Sequence, residues 1–159
     1  MTTARPLLLI DVDGVLNPHV RPGSTLGSQY AVHRIAGQDV RLAVAHGEWL
    51  HRLARLYDLA WATTWEADAN ALIGPVIGAP PNLPVIAFTD LDARGWTWKL
   101  PAVELFVADR PLAWLDDDHG QDAHAWAAAR TVPTLLVRPD GYVGWTPREY
   151  DELLTFGLP

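Results

Sequence analysis

The chain has 159 residues, a mass of 17.5 kDa and a formal net charge of −7. An apolar content of 49% excludes a disordered chain, and the acidic balance disfavours a broad grip on nucleic acid, leaving room only for a local basic patch. There is no cysteine, which excludes disulfides, thiolate metal sites and cysteine nucleophiles. The apolar run at 7–10 is too short for a signal-peptide core or a membrane span. A soluble cytoplasmic protein without a membrane partner is expected, folded as one domain over 1–159.

In chain order, residues 6–11 read as a buried strand, a short apolar run ending in a carboxylate. Residues 30–44 read as a hairpin: Val40, Leu42 and Val44 alternate, and Ala36-Gly37-Gln38-Asp39 supplies the turn. Trp49, Leu50, Leu53 and Leu56 lie on helical spacing and predict a helix over 47–57. A strand at 59–63, a helix at 66–73, a short strand at 85–88 and a helix at 99–107 follow. Next come a strand at 112–115 running into three aspartates, an Ala-rich helix at 121–130 and a strand at 134–137. Thr146-Pro147-Arg148-Glu149 reads as a capping box with proline at the first helical position. Alternating strands and helices predict an α/β, Rossmann-like domain: a mostly parallel central sheet flanked by helices, with the hairpin as a flap.

In such sheets ligands bind beyond the carboxyl ends of the strands. The first strand ends in Asp11-Val12-Asp13-Gly14-Val15, the second in Thr63-Thr64, and the strand at 112–115 in Asp116-Asp117-Asp118. Lys99, which opens a helix, is the only lysine beside eleven arginines. A site that needs a compact ammonium does not accept a guanidinium fork. Gathered together, these groups make an acidic pocket with one ammonium and one or two hydroxyls. Crowded carboxylates need a cation, hard oxygen ligands favour Mg²⁺, and such a centre beside a lysine suits a phosphate.

The order of these motifs resembles the haloacid dehalogenase-like (HAD) phosphohydrolase superfamily, over most of the chain. The stretch 61–70, Trp-Ala-Thr-Thr-Trp-Glu-Ala-Asp-Ala-Asn, resembles a small capless subgroup that includes HAD domains associated with RNA repair. The resemblance implies that Asp11 is the nucleophile and that Asp13 protonates the leaving oxygen and later activates water. It implies that Lys99 neutralises charge and that Thr63, or its neighbour Thr64, contacts the phosphoryl group. Asp11, the Asp13 carbonyl, Asp116 and Asp117 would hold Mg²⁺. Dehalogenases of the superfamily lack an acid where Asp13 stands and transport ATPases carry threonine there, so the resemblance implies phosphatase or phosphotransferase chemistry at Asp13. The expected activity is therefore Mg²⁺-dependent phosphomonoester hydrolysis through an aspartyl-phosphate.

About fifty residues separate Asp13 from Thr63 and about thirty-five separate Thr63 from Lys99. Neither gap holds a helical cap beside the core elements it must contain, so an open site without a full cap domain is expected. In the family, open sites go with larger substrates or with homo-oligomers that complete the cover. The substrate is a phosphorylated compound, small or macromolecular. The alternatives are a nucleic-acid end-processing phosphatase, which the net charge disfavours, and a non-catalytic binding module on the same fold. Trp61 and Trp114 are expected in the core, while Trp65, Trp96 and Trp98 lie near the motifs as candidates for stacking on a base or ring of the substrate. The six histidines show no zinc spacing; His19 and His33 fall in the loop and hairpin.

Overall fold

In the computed structural model, which describes residues 5–88 and 95–159, the chain is an α/β protein. Four parallel strands, β1 (Leu7–Ile10), β4 (Asp58–Trp61), β5 (Leu112–Leu115) and β6 (Thr134–Val137), form a sheet of order β4-β1-β5-β6. A separate antiparallel hairpin comprises β2 (Ala31–Ile35) and β3 (Gln38–Leu42). The helices are α1 (Val44–Leu53), α2 (Gly74–Ile77), α3 (Leu100–Val107), α4 (Gln121–Ala129) and α5 (Pro147–Gly157). Among the described residues no helix is long and apolar enough to cross a membrane.

Every residue of β1 and β5 is buried, because helices cover both faces of the sheet. Successive side chains point to opposite faces and build two cores. Leu8, Ile10, Leu59, Trp61, Ala113 and Leu115 pack with Leu50 and Leu53 of α1 and Leu153 of α5. Leu7, Leu9, Ala60, Leu112 and Trp114 pack with Val103 and Val107 of α3 and Ala123 of α4. Trp61 and Trp114 are fully buried, one in each core. At about 25 cal/mol per Å² of apolar surface, such residues dominate the driving force for folding.

The predicted strands at 112–115 and 134–137 have those limits in the structure, and α3, α4 and α5 agree with prediction to within a residue or two at the ends given. The capping box is formed: the Thr146 hydroxyl accepts from the Arg148 N–H, and Glu149 Oε2 accepts from the Thr146 N–H at 2.9 Å.

Four expectations are corrected. The hairpin turn consists of Ala36 and Gly37 alone, both at positive φ (50° and 78°), so Gln38 and Asp39 already belong to β3. Helix α1 begins at Val44 rather than at 47, and Val44 is exposed instead of continuing the hairpin alternation. Gly47, a poor helix former, is there because any side chain would strike the Ile77 carbonyl, 1.8 Å from its would-be Cβ. The 66–73 helix is present but irregular: after a turn at 64–66 the chain is helical over 67–77, with a π-helical segment, Ala69–Ile73, leading into α2. There the Asn70 side chain accepts from Trp61 Nε1 and the Leu83 N–H and donates to the Leu83 carbonyl, so it is spent on the neighbouring loop. Residues 85–88 form no strand, only a parallel bridge from Val85 to Trp61. Pro84, without an N–H, lends its carbonyl to Trp61 but cannot extend a ladder.

Candidate functional site

The parallel register dictates which residues meet at the carboxyl edge. Ile10 pairs with Trp61 on one side and with Leu115 on the other. The next residues, Asp11, Ala62 and Asp116, therefore emerge side by side. Asp11 donates its N–H to the Leu115 carbonyl at 3.0 Å, and Ala62 donates to the Ile10 carbonyl at 2.9 Å. The chain then turns sharply: the Val12 carbonyl accepts from the N–H groups of Val15, Leu16 and Asn17. Gly14, at φ 77°, makes this turn.

Lys99 reaches this edge from the start of α3. Its segment is held by Thr97, whose N–H and hydroxyl both donate to the Asp122 carboxylate at the start of α4. The Lys99 ammonium donates to Asp11 Oδ2 at 2.8 Å, to Asp116 Oδ2 at 2.7 Å and to the Ala62 carbonyl at 3.0 Å. Its three protons thus meet three acceptors. Lys99 and Asp11 are only 5% and 6% exposed, and Asp116 1%. Asp11 Oδ1 accepts from the Val12 N–H and Asp116 Oδ1 from the Asp118 N–H.

Burial, reinforced by the charge of Asp116, pushes the Asp11 carboxyl up to about 7, against the pull of Lys99. Burial would lower the Lys99 ammonium, but Asp116 and Asp11 outweigh it and hold its pKa above the ordinary lysine value. Burial and Asp116 also raise the Asp117 carboxyl, against a hydrogen bond with His19.

Asp117 lies in a notch between two glycines. A Cβ on Gly14 would come within 2.1 Å of its Oδ2, and a Cβ on Gly141 within 2.4 Å. His19 Nε2 stands 3.2 Å from the same oxygen, and Arg138 Nε donates to the Asp117 carbonyl at 2.9 Å. Carboxylate oxygens of Asp11, Asp116 and Asp117 lie within 4.8 Å of one another, the only such ligand cluster among the described residues. These three carboxylates, with Asp13 nearby, face a single lysine ammonium. An all-oxygen donor set with excess negative charge fits a hard divalent cation. These residues therefore fit the implied Mg²⁺.

A cavity of about 410 Å³ opens over this cluster, lined by Asp11, Asp13, Thr64, Trp98, Lys99 and Asp117 among others. Thr63 and Thr64 part company here. Thr64 is exposed and lines the cavity; Thr63 is fully buried, and its hydroxyl accepts from the Trp65 N–H at 3.3 Å. The three candidate tryptophans also separate. Trp98 lines the cavity, Trp96 is 80% exposed outside it, and Trp65 donates its indole N–H to Asp13 Oδ2 at 3.0 Å.

A second cavity, of about 350 Å³, adjoins the first and shares His19 with it. Tyr30, Arg41 and Tyr142 line it, and Arg21 lies over the Tyr142 ring at 4.0 Å.

The sequence does not single out Asn17 or Arg138 as site-building residues, and it places Trp65 near the motifs without revealing its bond to Asp13. The Asp13–Trp65 pair is 52 residues apart and the Asp117–Arg138 pair 21, so no local pattern announces either. The one available signal was the tryptophan two residues after Thr63.

The fold and edge thus describe an α/β protein with a carboxylate cluster, a buried ammonium and an open cavity at the carboxyl ends of its parallel strands. No protein-family model matches the chain, and no curated protein matches it.

Proposed function

We propose that the protein is a phosphatase that hydrolyses phosphomonoesters with the help of Mg²⁺. One observation carries this reading: a buried lysine bridges Asp11 and Asp116 at the floor of a cavity that Asp13 and Asp117 also line. A structural ion pair would have no need of four carboxylates around one ammonium beside open space. The motif order that resembles HAD phosphohydrolases supports the same conclusion.

In this mechanism Asp11 Oδ attacks phosphorus, forming the Asp11–phosphoryl bond as the ester P–O bond breaks. Asp13 gives its proton to the departing oxygen. It then takes a proton from the water that attacks the aspartyl-phosphate, which releases inorganic phosphate and restores Asp11. Lys99 keeps Asp11 oriented and balances charge as the phosphoryl group arrives. Thr64 offers a hydroxyl from the cavity wall, and Thr63 shapes the turn behind it. Asp11, Asp116 and Asp117 would hold the cation, together with the Asp13 carbonyl as the resemblance implies. When bound it supplies positive charge against the phosphoryl oxygens. In this reading the β2–β3 hairpin is the flap, and its Arg41 lines the neighbouring second cavity.

A second reading, a phosphatase of nucleic-acid ends, is favoured by one feature. Between residues 18 and 42 the chain carries three arginines and a single acid, Asp39, which Arg34 takes at 2.9 Å. Arg21 and Arg41 remain beside the second cavity, suited to further phosphates of a longer substrate.

The deciding measurement is phosphate release from sugar phosphates, nucleotides, phosphopeptides and phosphorylated oligonucleotides, with Mg²⁺ and with EDTA. Mg²⁺-dependent release is expected, and Asp11→Asn is expected to remove it by at least about 10³-fold while the protein stays folded. Wild-type rates in that variant would refute the nucleophile. Binding of Mg²⁺ and phosphate without turnover of any compound would leave a binding module instead. A clear preference for oligonucleotide ends over small esters would favour the second reading.

A further inference from the structure

Asp13 is held in a way that the resemblance does not describe. Its two oxygens are tied from two different parts of the fold. Asn17 Nδ2 donates to Oδ1 at 2.8 Å, and Trp65 Nε1 donates to Oδ2 at 3.0 Å. The Asn17 amide is itself oriented: its Oδ1 accepts from the Arg41 N–H of β3 at 2.8 Å. A backbone N–H can only donate, so the carbonyl end of Asn17 faces the hairpin and its NH₂ faces Asp13. Trp65 is fixed with equal care. Its N–H donates to the Thr63 hydroxyl, its carbonyl accepts from the Asp68 N–H, and Glu66 beside it turns the chain at φ 45°.

Both donors to Asp13 are neutral. They fix the carboxylate without cancelling its charge, in contrast to Lys99 at Asp11. Each oxygen keeps a lone pair for the cavity that Asp13 lines. We infer that Trp65 and Asn17 are positioning residues that hold Asp13 at the angle required for proton transfer to the leaving oxygen. This rests on the phosphatase reading above, and it assigns the Trp65 indole to proton transfer rather than to stacking on a substrate ring.

Proton donation matters in proportion to the basicity of the leaving group. An alkyl phosphate expels an alkoxide and needs the proton; 4-nitrophenyl phosphate expels a stable phenolate and hardly does. The comparison uses kcat/KM, because that parameter reports the step in which the leaving group departs, before water attacks the phosphorylated enzyme. Trp65→Phe keeps the ring and removes the N–H. With Mg²⁺ present, it is expected to lower kcat/KM on glycerol 2-phosphate about tenfold or more, a part of the 10²–10⁴ that the general acid itself contributes. On 4-nitrophenyl phosphate the loss is expected to be several times smaller. In an Asp13→Asn background the same substitution is expected to cost almost nothing further, since the residue it positions has lost its function. Equal losses on the two esters, or an undiminished loss in the Asp13→Asn background, would overturn the inference.

A readout without turnover complements the kinetics. The Trp65 indole N–H resonance of the protein is expected to move in Asp13→Asn. An unmoved resonance would show that the indole is not bound to Asp13 and would sink the assignment. If the wild type released no phosphate from either ester, the phosphatase reading and the catalytic role would both fall. The resonance would still decide whether the indole holds Asp13.

Discussion

Two regions of this protein bury titratable side chains and treat them in opposite ways. At the carboxyl edge of the sheet, Lys99 meets Asp11 and Asp116 at 2.8 and 2.7 Å, and charge is kept in the interior by opposite charge. Around His46, burial is answered by neutrality. That ring lies against Trp49, Trp145 and Tyr30, with centroids 5.2, 5.2 and 5.9 Å away, and shares one hydrogen bond with the Trp145 carbonyl at 2.9 Å. Burial pushes His46 down to about 4, against the favourable pull of that carbonyl. The first region is costly to assemble and chemically poised, and the second is inert packing. Burial alone therefore does not mark a candidate site; buried carboxylates in excess over their ammonium, beside open space, do.

The sharpest way to break the comparison is to remove the ammonium. Lys99→Met leaves Asp11 and Asp116 buried without their partner, and breaking a buried pair costs about 3–5 kcal/mol. Urea denaturation at pH 8 should show a loss of that order, partly recovered at pH 5.5 as Asp11 takes up a proton. A loss below about 1 kcal/mol would mean that the edge is not charge-compensated as described.

Next in size is the response to metal. The folded pKa of Asp11, about 7, lies above its ordinary value, so the ionised carboxylate costs stability increasingly as the pH rises from 3.8 through 7. A cation held by Asp11, Asp116 and Asp117 would offset that cost. The rise in Tm on adding Mg²⁺ should be greatest above pH 7 and should shrink as the pH falls below it, because protons compete for Asp11. A Mg²⁺ effect of equal size at pH 8 and pH 5.5 would contradict the assignment of Asp11 to the cation.

The smallest effect tests the inert region. The folded pKa of His46, about 4, lies below its ordinary 6.5, so the unfolded chain takes up a proton that the folded form refuses. Its contribution to stability is complete above pH 6.5 and declines as the pH falls towards 4. His46→Phe should flatten that decline by one proton and cost about 1–2 kcal/mol at pH 7 through the unpaired Trp145 carbonyl. An unchanged acid slope would show that His46 is protonated in the folded protein.

The strands that bear the site were legible because helices cover both of their faces. A strand buried twice reads as an uninterrupted apolar run, as in Leu7–Ile10 and Leu112–Leu115. The gathering of Asp11 and Asp116 follows once those runs are laid parallel. What was illegible depended on bonds made across the chain. Asn70 spends its amide on Trp61 and Leu83 from within a π-helical segment, where the local pattern predicts a regular helix. Thr63 and Thr64 are equivalent by sequence, and only the turn at Trp65 sends one inward and the other to the cavity. The bond from Trp65 to Asp13 joins two loops that no periodicity relates.

The three-way grip on Lys99 has a practical consequence. It is the only side-chain amine in the chain, it is 5% exposed, and its pKa is raised. Acylating reagents require an uncharged, accessible amine, so this one stays dark to them while the carboxyl edge is closed. Modification at that single position therefore reports when the edge opens, which gives the molecule an intrinsic chemical clock for its own local unfolding.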